Sequence, residues 1–375
     1  MNILYISNLS GHLYAGPTHS VPRQIFYQSK LDSVMWYNLV ENKIDDWKKL
    51  SYYFDLNDYP DKKISKLPEP FNNPDLVIIE SFYHIVMNSR FIFELIHRKI
   101  PYIIIPRGEL TEKAQKRKML KKMIANIIIC KKYAKKALAI QYLTNKEKLE
   151  SEKLKWSSKS IIIPNGIESL EVKKEVFFCS NKIKCIFIGR IEPYQKGLDI
   201  LIKACVKLKE KLNTLNCEIL IYGPDVDGKL NDLKAIVKNL ELENTIKFYG
   251  EIYGKDKVKV LLESDVFLMP SRFEGHPMAL IEALSYGLPA VVSTGSNMRE
   301  EIEQNDAGWG ADANVNDFAF VLNKMLDELN LCEKKGKNAR KLAINYTWGN
   351  ISKISHIKYD NLLKNTDKDT QYVYF

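Results

Sequence analysis

The sequence lacks the cysteine pattern of a disulfide-stabilised or zinc-binding protein. Its six cysteines are scattered, no two of them form a Cys-x-x-Cys pair, and no histidines accompany them at metal-ligand spacing. Such a distribution favours a reducing compartment. We therefore expect neither a disulfide framework nor a zinc site.

Two further absences narrow the class of protein. No apolar run reaches the roughly 18 residues needed to span a bilayer, and the amino terminus, MNILYISNLSG, is typical of a first strand and turn rather than of a signal peptide. No Gly-x-Gly-x-x-Gly follows a strand with an acidic residue about 20 positions on, which disfavours a nicotinamide-dependent oxidoreductase. These absences predict a cytoplasmic protein of another enzyme or binding class.

Positive charge is abundant and unevenly distributed. Residues 1–170 carry 27 Lys and Arg against 17 Asp and Glu, whereas residues 171–375 carry 29 of each. The stretch from Lys113 to Lys159, with 15 basic and three acidic residues, accounts for all of this excess. A solvated surface and an anionic membrane partner both fit this stretch. Nucleic acid fits less well, because the stretch contains clustered apolar residues and no nucleic-acid motif.

Apolar runs alternate with amphipathic stretches along the whole chain, which is typical of βα units with parallel sheets. A chain of 375 residues exceeds one hydrophobic core, so two α/β domains are expected. A Pro-Asn-Gly turn at residues 164–166 predicts a domain linker over residues 167–180. The predicted strands are residues 2–7, 76–80, 102–105, 139–142 and 160–163 in the first half, and 183–188, 218–221, 246–249, 266–269 and 290–293 in the second.

Two cations follow the predicted strand at residues 183–188. The segment FIGRIEPYQKG ends that strand at Gly189 and places Arg190 and Lys196 around a turn, before a helix that begins near Leu198. This arrangement suits a diphosphate, because backbone N–H groups and the helix dipole add to the side-chain charge. Taken alone the spacing is weak, since basic residues occur in many loops.

Two carboxylates follow the predicted strand at residues 266–269. Glu274 lies after the strand end, and Glu282 lies eight residues later on a predicted helix with apolar neighbours. Gly275 permits close approach of the backbone to a ligand, and Pro277 suits the first helical turn. Carboxylates here would accept hydrogen bonds from sugar hydroxyls. The N–H groups expected to face an anion are those of Met278, Ala279 and Leu280.

With these two constellations the sequence resembles the family-4 glycosyltransferases, which have the GT-B fold. The Arg190-to-Lys196 spacing, the Glu-x7-Glu pair and GLPAVV at residues 287–292 carry the resemblance. It is most specific over residues 184–310, and IYGP at 221–224 and IKFYG at 246–250 support it.

The resemblance implies an α/β protein with two Rossmann-like domains facing each other across a cleft. Residues 1–168 would form an N-terminal acceptor-binding domain, and residues 169–350 a C-terminal domain that binds the nucleotide-sugar donor. A C-terminal helix, residues 351–375, would cross back to the N-terminal domain.

The resemblance also assigns roles to individual residues. Arg190 and Lys196 would hold the diphosphate, Glu274 the transferred sugar and Glu282 the ribose. The base would lie against the backbone near Tyr249–Ile252. The other donor-binding candidates are Gly16, Gly189, Gly223, Gly250, Gly275, His276, Pro277, Met278, Ala279 and Leu280.

The N-terminal half departs from the family pattern in two loops. Gly16 stands where many members have two glycines, with Thr18 nearby as an acceptor-side candidate. Arg107 occupies the region in which many members carry a His near the donor sugar, and we include it among the catalytic candidates. His84 is a second acceptor-side candidate, although a lone His is more often structural.

These expectations define an enzyme. It would be a retaining hexosyltransferase that moves a hexose or N-acetylhexosamine from a nucleotide sugar, with a UDP-sugar preferred, to a glycan or lipid-linked acceptor. The cations would stabilise the leaving group, so we expect no metal and no cofactor. A GDP-mannose-dependent mannosyltransferase and a non-catalytic nucleotide-sugar-binding subunit remain as alternatives. We expect a cytoplasmic protein, peripheral on the inner face of the cell membrane.

Overall fold

A computed structural model describes residues 1–11, 16–41, 44–83, 89–111, 114–115, 130–156, 159–168, 172–178, 181–225 and 228–371. The chain divides into two compact α/β units. The N-terminal unit comprises Met1–Gly166 and Trp348–Phe375, and the C-terminal unit comprises Ile167–Thr347. The boundaries predicted from the sequence, after residues 168 and 350, lie close to these.

The N-terminal unit is built on a parallel sheet of seven strands in the order β3-β2-β1-β4-β5-β6-β7. The strands are β1 (Asn2–Ser7), β2 (Ser33–Asn38), β3 (Tyr53–Phe54), β4 (Leu76–Ile79), β5 (Tyr102–Ile104), β6 (Ala139–Tyr142) and β7 (Ser160–Ile162). The described helices before the linker are α1 (Gly16–Gln28), α2 (Asp45–Lys48), α3 (Ser89–His97), α4 (Lys131–Lys136) and α5 (Asn145–Glu152).

The C-terminal unit is built on a parallel sheet of six strands in the order β10-β9-β8-β11-β12-β13. The strands are β8 (Ile183–Ile188), β9 (Cys217–Tyr222), β10 (Ile246–Phe248), β11 (Val266–Met269), β12 (Ala290–Ser293) and β13 (Gly308–Ala311). Its described helices are α6 (Leu198–Lys207), α7 (Lys209–Thr214), α8 (Leu230–Asn239), α9 (Gly254–Glu263), α10 (Met278–Tyr286), α11 (Arg299–Gln304), α12 (Val315–Asp327) and α13 (Cys332–Ile344).

Both faces of the C-terminal sheet are covered. Cys185 and Phe187 of β8 enter one hydrophobic cluster, whereas Ile186 and Ile188 enter another. Because successive strand residues point to opposite faces, the two clusters lie on the two sides of the sheet. Continuous apolar strands of this kind are typical of parallel sheets buried on both faces.

The last helix, α14 (Trp348–Gln371), belongs to the N-terminal unit. Trp348, Ile351 and Tyr359 are buried in the same hydrophobic cluster as residues of β1. A Cβ atom on Gly166 would lie 2.6 Å from the indole of Trp348, so only a glycine lets the chain pass this ring. The expected return of the terminal helix to the N-terminal unit is confirmed.

Among the described residues, no helix is both long enough and apolar enough to cross a bilayer.

Candidate active site

The candidate donor residues lie where the strand order of the C-terminal sheet changes direction. β8 is the first strand of this unit, and its neighbours in the sheet are β9 on one side and β11 on the other. The loops that follow β8 and β11 meet at the carboxyl edge of the sheet at this switch point, which we call the crevice because it is the usual ligand position in open α/β sheets. These loops comprise residues 189–197 and 270–277.

Glycines bring the backbone segments at this edge into close contact. Gly197 has a φ of +66°, and a Cβ atom there would lie 2.0 Å from the carbonyl oxygen of Pro270. A Cβ atom on Gly223, which follows β9, would lie 1.7 Å from the Gly189 carbonyl oxygen. Any side chain at either position would force the loops apart, so both glycines are required by packing.

Lys196 and Glu274 form an ion pair across the two loops. The Lys196 Nζ lies 2.8 Å from each carboxylate oxygen of Glu274. The two side chains are only 15% and 7% exposed. The structure therefore brings together the cation assigned to the diphosphate and the carboxylate assigned to the sugar.

Two residues absent from the sequence prediction hold Glu274 in place. The Ser271 hydroxyl donates to the Glu274 carboxylate over 2.6 Å. The side-chain amide of Asn297 donates to the carbonyl oxygens of Glu274 (2.7 Å) and Gly275 (3.1 Å). Asn297 lies in the left-handed region, with φ of +63°, a conformation that asparagine tolerates better than most residues. An Asn four residues beyond the end of the next strand carries no recognisable signal in one sequence.

Arg190 is exposed two residues beyond the end of β8. Its Nη2 lies 3.5 Å from the Gln195 side-chain oxygen, and no carboxylate pairs with it within the described part of the chain. Lys196 is neutralised by Glu274, so Arg190 supplies the uncompensated positive charge of the crevice. A guanidinium in this position is suited to an incoming phosphate.

The N-terminus of α10 offers fewer free N–H groups than the sequence predicted. The Met278 N–H donates to the His276 carbonyl (2.9 Å), and the Leu280 N–H donates to the Pro277 carbonyl (3.0 Å). Among the three N–H groups named above, only that of Ala279 has no backbone acceptor in the described residues. The expectation that all three are free is wrong for two of them, because Pro277 opens the helix with a tight turn.

His276 lies beneath this turn. Its Nδ1 is 3.2 Å from the sulfur of Met278, and its Nε2 is buried without a hydrogen-bond partner in the described residues. Burial lowers the pKa of His276 to about 4. The imidazole is therefore neutral near pH 7, and it adds no positive charge to the crevice.

Glu282 has a charged partner that the sequence did not predict. It lies on α10 and accepts a hydrogen bond from the Lys257 ammonium of α9. The partly exposed pair explains how a carboxylate persists on an otherwise apolar helix. A ribose hydroxyl could share this carboxylate with Lys257, because an ionised carboxylate has four lone-pair positions.

An aromatic pair joins the last residue of β9 to the first residue after β10. The rings of Tyr222 and Tyr249 are stacked, with centroids 4.6 Å apart and an interplanar angle of 11°, and Tyr249 is 43% exposed. The Gly223 N–H donates to the Gly250 carbonyl over 3.1 Å. The expected base region therefore contains an accessible aromatic side chain beside two fixed strand ends.

Arg107 is buried in the N-terminal unit, and its guanidinium is hydrogen-bonded to other residues of that unit. Its side chain is 6% exposed and pairs with the buried Glu80 at 2.7 Å. The guanidinium also donates to Ser20, Asn165 and Gln24 over 3.1, 3.1 and 2.7 Å. Four of its five N–H donors are thus engaged in joining α1 to the strand ends. A catalytic role for Arg107 stays a prediction.

The remaining candidates of the N-terminal half are only partly described. Gly16 opens α1, and apart from its own helix and chain neighbours no described residue lies within 4 Å of where its Cβ would be. Thr18 is buried in the same helix. His84 and residues 12–15 lie outside the described residues. No group of three or more His, Cys, Asp and Glu in the described ranges could hold a metal ion.

Comparisons with known proteins find similar sequences and structures. Residues 169–342 match the family model described as glycosyl transferases group 1. An uncharacterized glycosyltransferase of Methanocaldococcus jannaschii is 28% identical over 189 residues, which cover 50% of this chain and 47% of that protein. The amylovoran biosynthesis glycosyltransferase AmsK of Erwinia amylovora is 36% identical over 121 residues, covering 31% of this chain and 29% of that protein. The matches therefore span less than half the length of these relatives.

The whole chain has a counterpart among solved structures. HepE of Anabaena, crystallised in complex with UDP, superposes with a TM-score of 0.73 at 15% sequence identity, covering 96% of this chain and all of HepE. A likeness at this identity shows the fold. The chain has the GT-B fold, with two Rossmann-like α/β domains, as the sequence resemblance predicted.

Proposed function

We propose that this protein, whose residues 169–342 form a domain of the glycosyl transferases group 1 family, is a glycosyltransferase that uses a nucleotide-sugar donor. The observation that carries the proposal is the Lys196–Glu274 pair at the switch point of the donor-side sheet, with Arg190 exposed beside it. One cation is held by a carboxylate and a second is uncompensated. This arrangement matches a ligand with an anionic diphosphate joined to a polar, uncharged sugar.

In the proposed reaction the cations stabilise charge that develops during transfer. The bond between the anomeric carbon and the diphosphate oxygen breaks, and a bond from the acceptor hydroxyl oxygen forms on the same face, so configuration is retained. The acceptor proton passes to the departing diphosphate. Arg190 and Lys196 would stabilise the negative charge on that diphosphate, which is the role a metal ion performs in other enzymes.

Glu274 and Glu282 would orient the donor. As Lys196 turns toward the diphosphate, the Glu274 carboxylate is released to accept sugar hydroxyls while Ser271 still donates to it. Glu282 would accept ribose hydroxyls beside Lys257. The exposed ring of Tyr249 offers a face on which a base can stack.

We propose a UDP-hexose or UDP-N-acetylhexosamine as donor and a glycan or lipid-linked acceptor. The fold match to HepE, whose crystals contain UDP, supports the uridine base, and the similarity to an amylovoran biosynthesis enzyme supports a polysaccharide product.

We also propose that the N-terminal unit docks on an anionic membrane surface. Much of the basic stretch lies outside the described residues, but Lys131, Lys132, Lys135 and Lys136 are exposed on α4. Lys135 and Lys136 line an open groove of about 470 Å³ together with Lys99 and Lys159, and no acidic residue lines it. No carboxylate pairs with any of these six lysines within the described residues. Each would contribute about 1 kcal/mol near anionic lipid.

A panel of UDP-, GDP-, ADP- and TDP-sugars tests the donor assignment. Thermal shift and slow donor hydrolysis should respond to UDP-sugars, and hydrolysis should persist in EDTA. A response confined to GDP-mannose would overturn the base assignment. Binding without hydrolysis or transfer would favour a non-catalytic subunit, and no response to any nucleotide sugar would contradict the proposed function.

A further inference from the structure

A second ion pair, close in the chain to Lys196 and Glu274, joins the loop after β11 to the first turn of α6. The guanidinium of Arg272 contacts both carboxylate oxygens of Asp199, at 2.6 and 2.7 Å. Asp199 lies in the first turn of α6, and Arg272 follows β11. A bidentate pair of this kind fixes orientation as well as distance.

Arg272 also contacts the β8 loop through its backbone and through its guanidinium face. Its N–H donates to the Gln195 carbonyl over 2.9 Å, and its Nη1 donates to the Tyr194 carbonyl over 2.8 Å. The guanidinium lies 4.4 Å from the centroid of the Tyr194 ring. In return, the Gln195 side-chain amide lies 3.4 Å from the Phe273 carbonyl. One residue thus touches the β8 loop directly before Lys196 and the helix directly after it.

The Lys196–Glu274 pair cannot set this register by itself. An ammonium group is a compact charge on a flexible stem, and it can meet a carboxylate from many directions. Lys196 follows Gln195 directly, and Glu274 lies two residues beyond Arg272. The contacts of Arg272 therefore fix the backbone from which both functional side chains extend.

We propose that Arg272 and Asp199 form a positioning pair that holds residues 190–197 in register with Glu274. The proposal rests on the proposed function, because donor transfer is the activity that this register serves. Arg272 is a positioning residue and not a donor ligand, since Asp199 and the Tyr194 carbonyl already occupy its guanidinium. This positioning pair, which we call the clamp, forms without a ligand. Its existence can therefore be tested separately from transfer.

Hydrogen–deuterium exchange on the ligand-free full chain tests the clamp. Arg272→Lys keeps the positive charge but loses the bidentate hydrogen bonding of the guanidinium. Asp199→Asn keeps the side-chain shape but loses the negative charge. Both should speed exchange several-fold in peptides covering residues 190–197, with little change elsewhere. Arg299→Lys is the matched control, because Arg299 pairs with Asp312 at 2.6 Å in the same unit without touching either loop.

Two results of that experiment would overturn the clamp. The first is wild-type exchange of residues 190–197 in both variants. The second is a global loss of folding in both, which would make the pair a determinant of the fold and not of the loop register. If only one variant fails to fold, the other decides the question.

Kinetics test whether the clamp serves transfer. With a donor that the wild type turns over, Arg272→Lys should lower kcat about ten-fold or more and change the donor KM less, since a small displacement of catalytic groups is costly. Asp199→Glu should retain more activity than Asp199→Asn. The double variant Arg272→Lys/Asp199→Asn should lose little more of kcat than the less active single variant, because both substitutions remove the same ion pair.

Faster loop exchange with an unchanged kcat would overturn the positioning role. A wild type that turns over no nucleotide sugar would contradict the proposed function instead, while the exchange data would still decide whether the clamp exists.

Discussion

At the scale of single residues, the crevice of the C-terminal unit combines a neutralised charge pair with a cation that has no carboxylate partner among the described residues. Lys196 and Glu274 neutralise each other, whereas Arg190 is exposed without a carboxylate partner in the described residues. A diphosphate would be attracted first by Arg190 and would then compete with Glu274 for Lys196. That exchange would release Glu274 for the sugar, so the two assignments depend on each other.

Lys196→Ala and Glu274→Ala should each lower turnover by about 10²-fold at saturating donor. The lysine variant loses stabilisation of the leaving diphosphate, and the glutamate variant loses its hold on the sugar, and a lost preorganised contact of this kind typically costs that much. Initial-rate measurements of kcat check both changes. Near-normal kcat in either variant would remove that residue from the proposed mechanism.

Two comparison variants sharpen this measurement. Lys203→Ala removes an exposed lysine of α6 and should leave kcat unchanged. Glu282→Ala should raise the donor KM more than it lowers kcat, because ribose contacts change little during transfer.

His276 should make the stability of the protein depend on pH. Its folded pKa of about 4 lies below the ordinary value near 6.5, so the folded state binds fewer protons than the unfolded state between these pH values. The contribution of the neutral imidazole is fully present above pH 6.5 and is lost as pH falls toward 4. The free energy of unfolding, measured in urea, should therefore fall between pH 7.5 and pH 5 by about 2 kcal/mol more in the wild type than in His276→Phe.

The exposed His97 of α3 provides the control for this experiment. His97→Gln should retain the pH dependence of the wild type. Equal losses in His276→Phe and the wild type would mean that His276 titrates normally in the folded protein.

At the scale of elements, the ten predicted strands are all present, and three others were missed. β2 and β3 are rich in aromatic residues, and β13 is Gly-Trp-Gly-Ala. A long apolar run predicts a buried parallel strand well, but a short aromatic or glycine-containing segment becomes a strand only by pairing with a neighbour. β13 pairs with β12 along its whole length, a contact that no local pattern shows.

The terminal helix α14 completes the core of the N-terminal unit. Trp348→Ala should lower the free energy of unfolding of that unit by about 3–5 kcal/mol, because it leaves a cavity beside Gly166. Ile357→Ala is the matched control on the same helix, since Ile357 is exposed, and it should have little effect. Urea unfolding followed by tryptophan fluorescence and circular dichroism compares the two. A Trp348→Ala protein as stable as Ile357→Ala would contradict the packing described for this helix.

At the scale of the whole molecule, the division into units sharpens the charge asymmetry. Residues of the N-terminal unit carry 31 Lys and Arg against 19 Asp and Glu, whereas those of the C-terminal unit carry 25 against 27. All of the net positive charge therefore belongs to one unit. This separation is expected if one unit meets an anionic surface while the other binds the donor.

Vesicle co-sedimentation tests the membrane proposal. The wild type should sediment with anionic vesicles, remain in solution with neutral ones, and dissociate as salt rises toward about 0.5 M. Replacing the four lysines of α4 by serine should weaken binding, since each contributes about 1 kcal/mol. The control replaces four exposed lysines of the C-terminal unit, Lys203, Lys207, Lys234 and Lys238.

Equal recovery of the wild type in the supernatant with both vesicle types at low salt would contradict membrane docking and leave the donor assignment intact. Equal loss of binding in the two quadruple variants would show that the effect is one of total charge and not of the α4 surface.

The sequence by itself determined the two-domain α/β organisation, the GT-B fold and the segments that carry Arg190, Lys196, Glu274 and Glu282. The two-domain α/β organisation follows from apolar periodicity, whereas the GT-B fold follows from the family resemblance, which rests on fixed spacings within single loops or helices. Both signals are local in the chain. The partners of these residues were decided only in three dimensions. Asn297 and Lys257 reach Glu274 and Glu282 from other elements, at sequence separations that carry no pattern.

Tertiary structure also decided which predicted groups are free. Arg107 was a candidate for substrate contact on sequence grounds, yet the fold surrounds it with Glu80, Gln24 and Asn165. Hydrogen-bonding capacity is a property of a residue type, whereas its availability depends on which groups the packed chain brings within about 3 Å, and that proximity is set only when the sheets and helices assemble.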